Sequence, residues 1–143
     1  MFTLDASVHI NALNTSESGN AESQACLQRL VTTEQQLFSP TLLLVEVAAA
    51  TARAMDDTDL AIKLVVGVRS LPKQVWVSLD GELADLAAQL GAQARLRGAD
   101  AVYAAVAQCY GTTLITRDRQ QLERLPPLIE VITPEDALDL IDG

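Results

Sequence analysis

Gly98-Ala99-Asp100-Ala101-Val102-Tyr103-Ala104-Ala105-Val106-Ala107, followed after three residues by Gly111-Thr112-Thr113-Leu114-Ile115-Thr116-Arg117-Asp118, decides how this chain is read. The first segment sets a carboxylate at the start of an apolar helix. The second sets another just past the C-terminal end of a short apolar strand. Two upstream acids stand in comparable places. Asp5 closes the strand-like opening Phe2-Thr3-Leu4, and Glu46 interrupts the run Leu42-Leu43-Leu44-Val45-Glu46-Val47-Ala48-Ala49-Ala50. A fold that gathers these four makes an acidic pocket suited to a metal ion.

Around that stretch, short β-like runs alternate with helical ones, the pattern of an α/β fold with a mainly parallel central sheet. The expected strands are Phe2 to Leu4, Gln36 to Phe38, Val75 to Leu79, Thr113 to Thr116 and Ile129 to Ile132. Ser39-Pro40 reads as an N-cap with a first-turn proline, and Thr133-Pro134-Glu135-Asp136 repeats the device near the C-terminus. Asp80 precedes an amphipathic helix over Glu82 to Leu96, in which Leu83, Leu86, Ala87 and Leu90 recur at helical spacing. Asn14 to Asn20 reads as a polar loop and Met55 to Asp59 as a turn between helices. In open parallel sheets a ligand sits beyond the carboxyl ends of the strands where strand order reverses. Asp5 and Asp118 would share such a crevice if the first and fourth strands are neighbours.

The 143 residues, 49% of them hydrophobic, make one domain with a sizeable core. No apolar run is long enough to span a bilayer, and no basic, hydrophobic leader opens the chain, so a cytoplasmic location without membrane association is expected. Cys26 and Cys109 lack metal-ligand spacing and are expected to pack as small hydrophobes. The net charge of -9 excludes nucleic-acid binding through bulk electrostatics, so any such contact must be local. Arg95, Arg97, Arg117, Arg119 and Arg124 cluster in the C-terminal half, close in sequence to Asp100 and Asp118. Such a cluster is more often a solvated helix face, but Arg suits phosphate recognition, and Arg95, Arg97 and Arg117 are candidates to guide a phosphate backbone.

Each acid has a bland alternative. Glu46 shares a helical stripe with Leu42, Leu43, Ala49 and Ala50, where an uncompensated carboxylate is costly; it either has a partner or sits at the stripe's edge. Asp118, with Gln121 three residues on, fits a capping box. Asp100 and Asp5 could also be caps, and capping does not exclude metal binding. Asp80 occupies the same local context as Asp118, and spacing alone gives no reason to leave it out.

Taken in order, Leu4-Asp5-Ala6-Ser7, Glu46, Ala99-Asp100-Ala101-Val102-Tyr103-Ala104-Ala105-Val106-Ala107 and Leu114-Ile115-Thr116-Arg117-Asp118 resemble the PIN domain family, in particular the ribonuclease toxins of VapBC-type toxin-antitoxin pairs. The resemblance covers nearly the whole chain. It implies a three-layer α/β/α fold and a single domain over residues 1–143. By position it implies Asp5, Glu46, Asp100 and Asp118 as catalytic, metal-binding acids, with Ser7 and Thr116 as polar supports, and it leaves Asp80 as a cap and His9 as structural. The implied cofactor is Mg²⁺ or Mn²⁺, which oxygen ligands select. The implied reaction is RNA hydrolysis leaving a 5'-phosphate and a 3'-hydroxyl. The implied partners are an RNA substrate, a cognate antitoxin and a second copy in a homodimer. The family often carries another acid and an aromatic residue beyond the position of Asp118, where this chain has Arg119, Gln120, Gln121 and Leu122. A response-regulator receiver domain also has an acidic Mg²⁺ pocket, but wants paired acids after the first strand and a lysine after the last; here Asp5 stands alone and Lys63 and Lys73 fall elsewhere. A PIN scaffold that only binds partners is the remaining alternative.

Overall fold

A computed structural model describes residues 1–143. The chain runs β1 (Phe2–Leu4), α1 (Ala6–Leu13), α2 (Asn20–Thr32), β2 (Leu37–Pro40), α3 (Leu42–Met55), α4 (Thr58–Arg69), β3 (Gln74–Val77), α5 (Gly81–Ala94), α6 (Gly98–Tyr110), β4 (Thr113–Ile115), α7 (Arg119–Arg124), β5 (Val131–Ile132) and α8 (Pro134–Asp142). The five strands form one sheet in the order β3-β2-β1-β4-β5, and every pairing is parallel. This is the three-layer α/β/α arrangement expected of a PIN-like fold. No helix is long and apolar enough to cross a membrane.

The two sides of the sheet bury separate cores. Phe2 and Leu4 alternate with Thr3 along β1 and so point together, packing with Val8, Cys26, Leu30 and Ala137 from α1, α2 and α8. On the opposite side, Leu114 and the larger cluster bring together α3, α5 and α6. Every residue of α6 from Asp100 to Ala107 is buried, which explains why its sequence is apolar all round rather than striped. Small side chains let α5 come close to it: a Cβ added at Gly91 would stand 3.2 Å from that of Ala101.

Strand order reverses between β1 and β4. From β1 the chain moves outward to β2 and β3, then returns to place β4 on β1's other side, with Leu4 in register with Ile115. The adjacency that puts Asp5 and Asp118 in one crevice is therefore present.

Several local expectations are corrected. Ser39 and Pro40 do not open a helix; they end β2, and Thr41 takes the N-cap position of α3 without a side-chain cap bond. The reason is the ladder. Leu37 and Thr41 donate their N–H groups to Lys73 and Val77 of the β3 side, so the nitrogen of Pro40 faces β1, whose pairing with β2 is registered only at Phe2 and Leu37. A missing donor costs nothing there. The Ser39 hydroxyl instead donates to Gln74 Oε1 at 2.8 Å, tying β2 to β3. Asp100 is not a cap either: Arg97 holds the N-cap position of α6 and Asp100 lies in the first turn. Cys26 is buried as expected, but Cys109 is exposed, because the last turn of α6 extends past the buried run. β3 and β5 are shorter than expected, since Leu79 turns out to solvent and Ile129 packs into the core from a loop.

The candidate functional site

One cleft at the carboxyl ends of β1 and β4, with a volume of about 420 Å³, is lined by all four predicted acids, Asp5, Glu46, Asp100 and Asp118. They arrive from four elements. Asp5 and Asp118 are the N-caps of α1 and α7, accepting from the N–H groups of Ser7 and Gln121, each at 2.9 Å. Asp100 enters from the first turn of α6, and Glu46 from the half-buried side of α3. For Asp5 and Asp118, capping and lining the cleft are thus the same act. Asp80 caps α5 through the N–H of Leu83 at 2.9 Å and lies outside the cleft.

The cleft holds more negative charge than it compensates. Burial, with Ser7 and Gln121 opposing it and the charge of Asp118 adding to it, raises the carboxyl pKa of Asp5. Burial also raises Glu46, reinforced by Asp5. In Asp100, burial and the charges of Asp5 and Asp118 outweigh Arg97 and push the carboxyl from 3.8 up to about 6. Burial and mutual repulsion thus raise all three carboxyls above the ordinary carboxylate values.

Arg97 is the cation now present. Its Nε lies 3.2 Å from Asp100 Oδ2 and its Nη2 2.8 Å from Asp118 Oδ2, while its side chain remains 70% exposed. Of the three arginines expected to guide a phosphate backbone, only Arg97 lines the cleft. Arg95 sits in a left-handed C-cap of α5 and folds its guanidinium onto the carbonyl of Ala92. Arg117 is spent structurally: it donates to Ser23 Oγ at 2.6 Å and, through Nη2, to Gly19 O and Glu135 Oε1 at 2.8 Å each. It clamps the loop before α2 to α8, and a Cβ at Gly19 would come within 2.6 Å of its guanidinium. Arg53, which sequence reasoning missed, also lines the cleft. Its signal was available, since it follows Glu46 by seven residues and hence lies two turns along the same face.

The donor set fits a divalent ion chemically. Oxygen ligands only and excess negative charge, with Glu46 Oε1 buried at the cleft wall, are features that a hard cation satisfies. The Tyr103 hydroxyl is buried beside Glu46, and burial together with the Glu46 charge raises its pKa. No three acids are drawn together into a closed cation cage, and Arg97 bridges two of them instead. His9 is buried in α1 away from the cleft, and burial lowers its pKa to about 4, which keeps the imidazole neutral.

Ser7 and Thr116 support the acids. Ser7 Oγ accepts from the N–H of Arg117 at 3.0 Å and lies 3.4 Å from Thr116 Oγ1, which accepts from the N–H of Asp118 at 2.9 Å. A second missed residue completes this group. Gln121, fully buried, accepts from Thr116 at 2.5 Å and donates to Asp5 Oδ1 at 3.3 Å.

The family model of the PIN domain matches residues 2–126 of the chain. No curated protein matches its sequence. Among solved structures, it is similar to a toxin-antitoxin complex from Klebsiella pneumoniae, at 19% identity and a TM-score of 0.66, over 94% of this chain and 98% of that one. VapBC2 from Rickettsia felis, bound to a DNA fragment from its promoter, aligns at 12% identity and a TM-score of 0.70, over 92% and 97% of the two chains. VapC20 of Mycobacterium tuberculosis, a toxin that cleaves the sarcin-ricin loop, aligns at 14% identity and a TM-score of 0.65, over 81% and 87%.

Proposed function

The chain belongs to the PIN domain family, and from that premise we propose that it is a Mg²⁺- or Mn²⁺-dependent endoribonuclease acting as the toxin of a type II toxin-antitoxin pair. The observation that carries the reading is the convergence of four carboxylates from four elements on one cleft at the strand-order reversal. A purely structural set of caps has no reason to share a cleft, and Asp80, a cap of the same kind, does not.

Asp5 and Asp118 are the principal residues that would hold the ion, with Asp100 a further ligand or a group that orients water, and Glu46 contributing directly or through water. When bound, such an ion supplies Lewis acidity to water and to the phosphodiester under attack. The protein's part is orientation and proton handling. Ser7 and Gln121 fix the two oxygens of Asp5 separately. Glu46 and Asp100 reach the same cleft, where either carboxylate is placed to accept a proton from attacking water. Arg97, once released from Asp100 and Asp118, stands at the cleft mouth with an exposed guanidinium for the RNA backbone, and Arg53 offers a second charge.

The same electrostatics indicate how an antitoxin would inhibit the enzyme: a partner's Arg or Lys entering among Asp5, Asp100 and Asp118 competes with the ion. The similarity to proteins solved as toxin-antitoxin complexes supports a cognate antitoxin as the partner. The direct test is cleavage of RNA by the purified protein with Mg²⁺ or Mn²⁺. Asp5→Asn and Asp118→Asn should each abolish cleavage while retaining the fold, as circular dichroism would report. Wild-type cleavage rates in Asp5→Asn, or no metal-dependent cleavage by the wild-type protein, would leave a scaffold that only binds partners.

A further inference from the structure

We propose that Gln121 is a positioning residue that fixes the carboxylate of Asp5 for cation binding, a role that rests on reading the cleft as a cation-dependent nuclease site. Gln121 lies beneath the cleft rather than in it, with no exposed surface and both ends of its amide engaged. Its Nε2 donates to Asp5 Oδ1 at 3.3 Å and to the Asp100 carbonyl at 3.4 Å. One side chain therefore ties together the segments carrying Asp5, Asp100 and Asp118.

The direction of each hydrogen bond is dictated by valence. The N–H of Arg117 can only donate, so it occupies a lone pair of Ser7 Oγ, and the N–H of Asp118 likewise occupies one on Thr116 Oγ1. The Thr116 hydroxyl has a single proton, and its 2.5 Å contact with an amide oxygen that can only accept takes it. Asp5 Oδ1 and the Asp100 carbonyl can only accept, so the amide end that faces them is Nε2, and Oε1 is the end left for the Thr116 hydroxyl. With the Ser7 N–H on Oδ2 at 2.9 Å, both oxygens of Asp5 are held from the protein side. Their remaining lone pairs are left for a ligand. An acid at position 121 would put a second negative charge against Asp5, whereas the amide contributes a donor.

Gln121→Met keeps the length and approximate volume of the side chain and removes both polar ends. Mn²⁺ should be titrated calorimetrically into metal-free wild-type and variant protein, with steady-state RNA cleavage measured alongside. Loss of a group that orients a metal ligand lowers affinity or activity about 10- to 100-fold, so Mn²⁺ affinity and kcat should fall by about 10-fold while KM for RNA stays within about twofold. A lower melting temperature with unchanged Mn²⁺ affinity and kcat would reduce Gln121 to a packing residue and overturn the proposal. A wild-type protein that neither binds Mn²⁺ nor cleaves RNA would overturn the nuclease reading and this role with it. Should Gln121→Met fail to fold, the wild-type protein decides: on Mg²⁺ titration the side-chain amide NMR signals of Gln121 should shift and saturate together with the backbone amide of Ser7. Gln121 signals that stay fixed while Ser7 moves would overturn the role.

Discussion

Asp100→Asn should make the metal-free protein more stable at neutral pH, although it removes a group placed at the centre of the cleft. In the folded state Asp100 is buried, with a side chain 12% exposed, and faces the charges of Asp5 and Asp118; these raise its pKa from 3.8 to about 6. The folded state thus binds that proton more tightly than the unfolded chain. By linkage, Asp100 costs stability in full above about pH 6, and the cost is relieved as pH falls toward 3.8. At about 1.4 kcal/mol per pH unit the cost would be ~3 kcal/mol, and screening by the solvent of an open cleft reduces it to ~1–2 kcal/mol. Asparagine keeps the shape and cannot ionise.

Urea unfolding in EDTA at pH 7.5 should show the variant more stable by about that ~1–2 kcal/mol, with the gap narrowing by about half at pH 5.0. The wild-type curve alone cannot show this. Buried neutral His9, with its pKa lowered from 6.5 to about 4, withdraws stability as pH falls through the same window. Its effect is common to both proteins and cancels in the difference. Saturating Mn²⁺ should reverse the order, since an ion at about 100 times its Kd stabilises the wild-type fold by ~2.7 kcal/mol and gains less from the depleted site. A variant less stable than wild type in EDTA at pH 7.5, or a gap indifferent to pH, would refute the electrostatic account of the cleft.

Arg97→Gln removes the cation that bridges Asp100 and Asp118, so Mn²⁺ affinity measured by calorimetry should rise several-fold while KM for RNA also rises; weaker Mn²⁺ binding would show that Arg97 assists the ion instead of competing with it. Asp80→Ala removes only a cap of α5, so it should cost ~1 kcal/mol in urea unfolding and leave RNA cleavage at the wild-type rate; loss of cleavage would mean the acids of the cleft had been misassigned.

Local signals in the sequence were read well where one principle acted alone. Thr133 is the expected N-cap with Pro134 in the first turn, and a capping box with Asp136 is added to it; the Met55 to Asp59 turn joins α3 to α4 through a left-handed Asp56 and the cap Asp57. The reading failed where a tertiary partner decided. Ser39-Pro40 has the composition of a helix start, but the β3 ladder captured it as a strand end. Arg117 has the charge of a backbone guide, but Ser23, Gly19 and Glu135 captured its guanidinium. Neither capture leaves a trace in local spacing, because the partners lie far along the chain.

The pair Asp80 and Asp118 shows why the site as a whole could not be read from spacing. Both follow a strand, both cap the next helix, and both accept a main-chain N–H at 2.9 Å. What separates them is sheet order: Asp118 follows β4, which pairs with β1 beside Asp5, whereas Asp80 follows β3 at the sheet's edge. Gln121 was hidden by a neighbouring ambiguity. In a capping box its side chain would return to the N–H of Asp118, and its own N–H does complete half of that box. Thr116 Oγ1 already takes the Asp118 N–H, so the amide of Gln121 is released to turn inward toward Asp5. A threonine two residues before the cap therefore converts a local capping motif into a link between two acids that stand 113 positions apart in the chain.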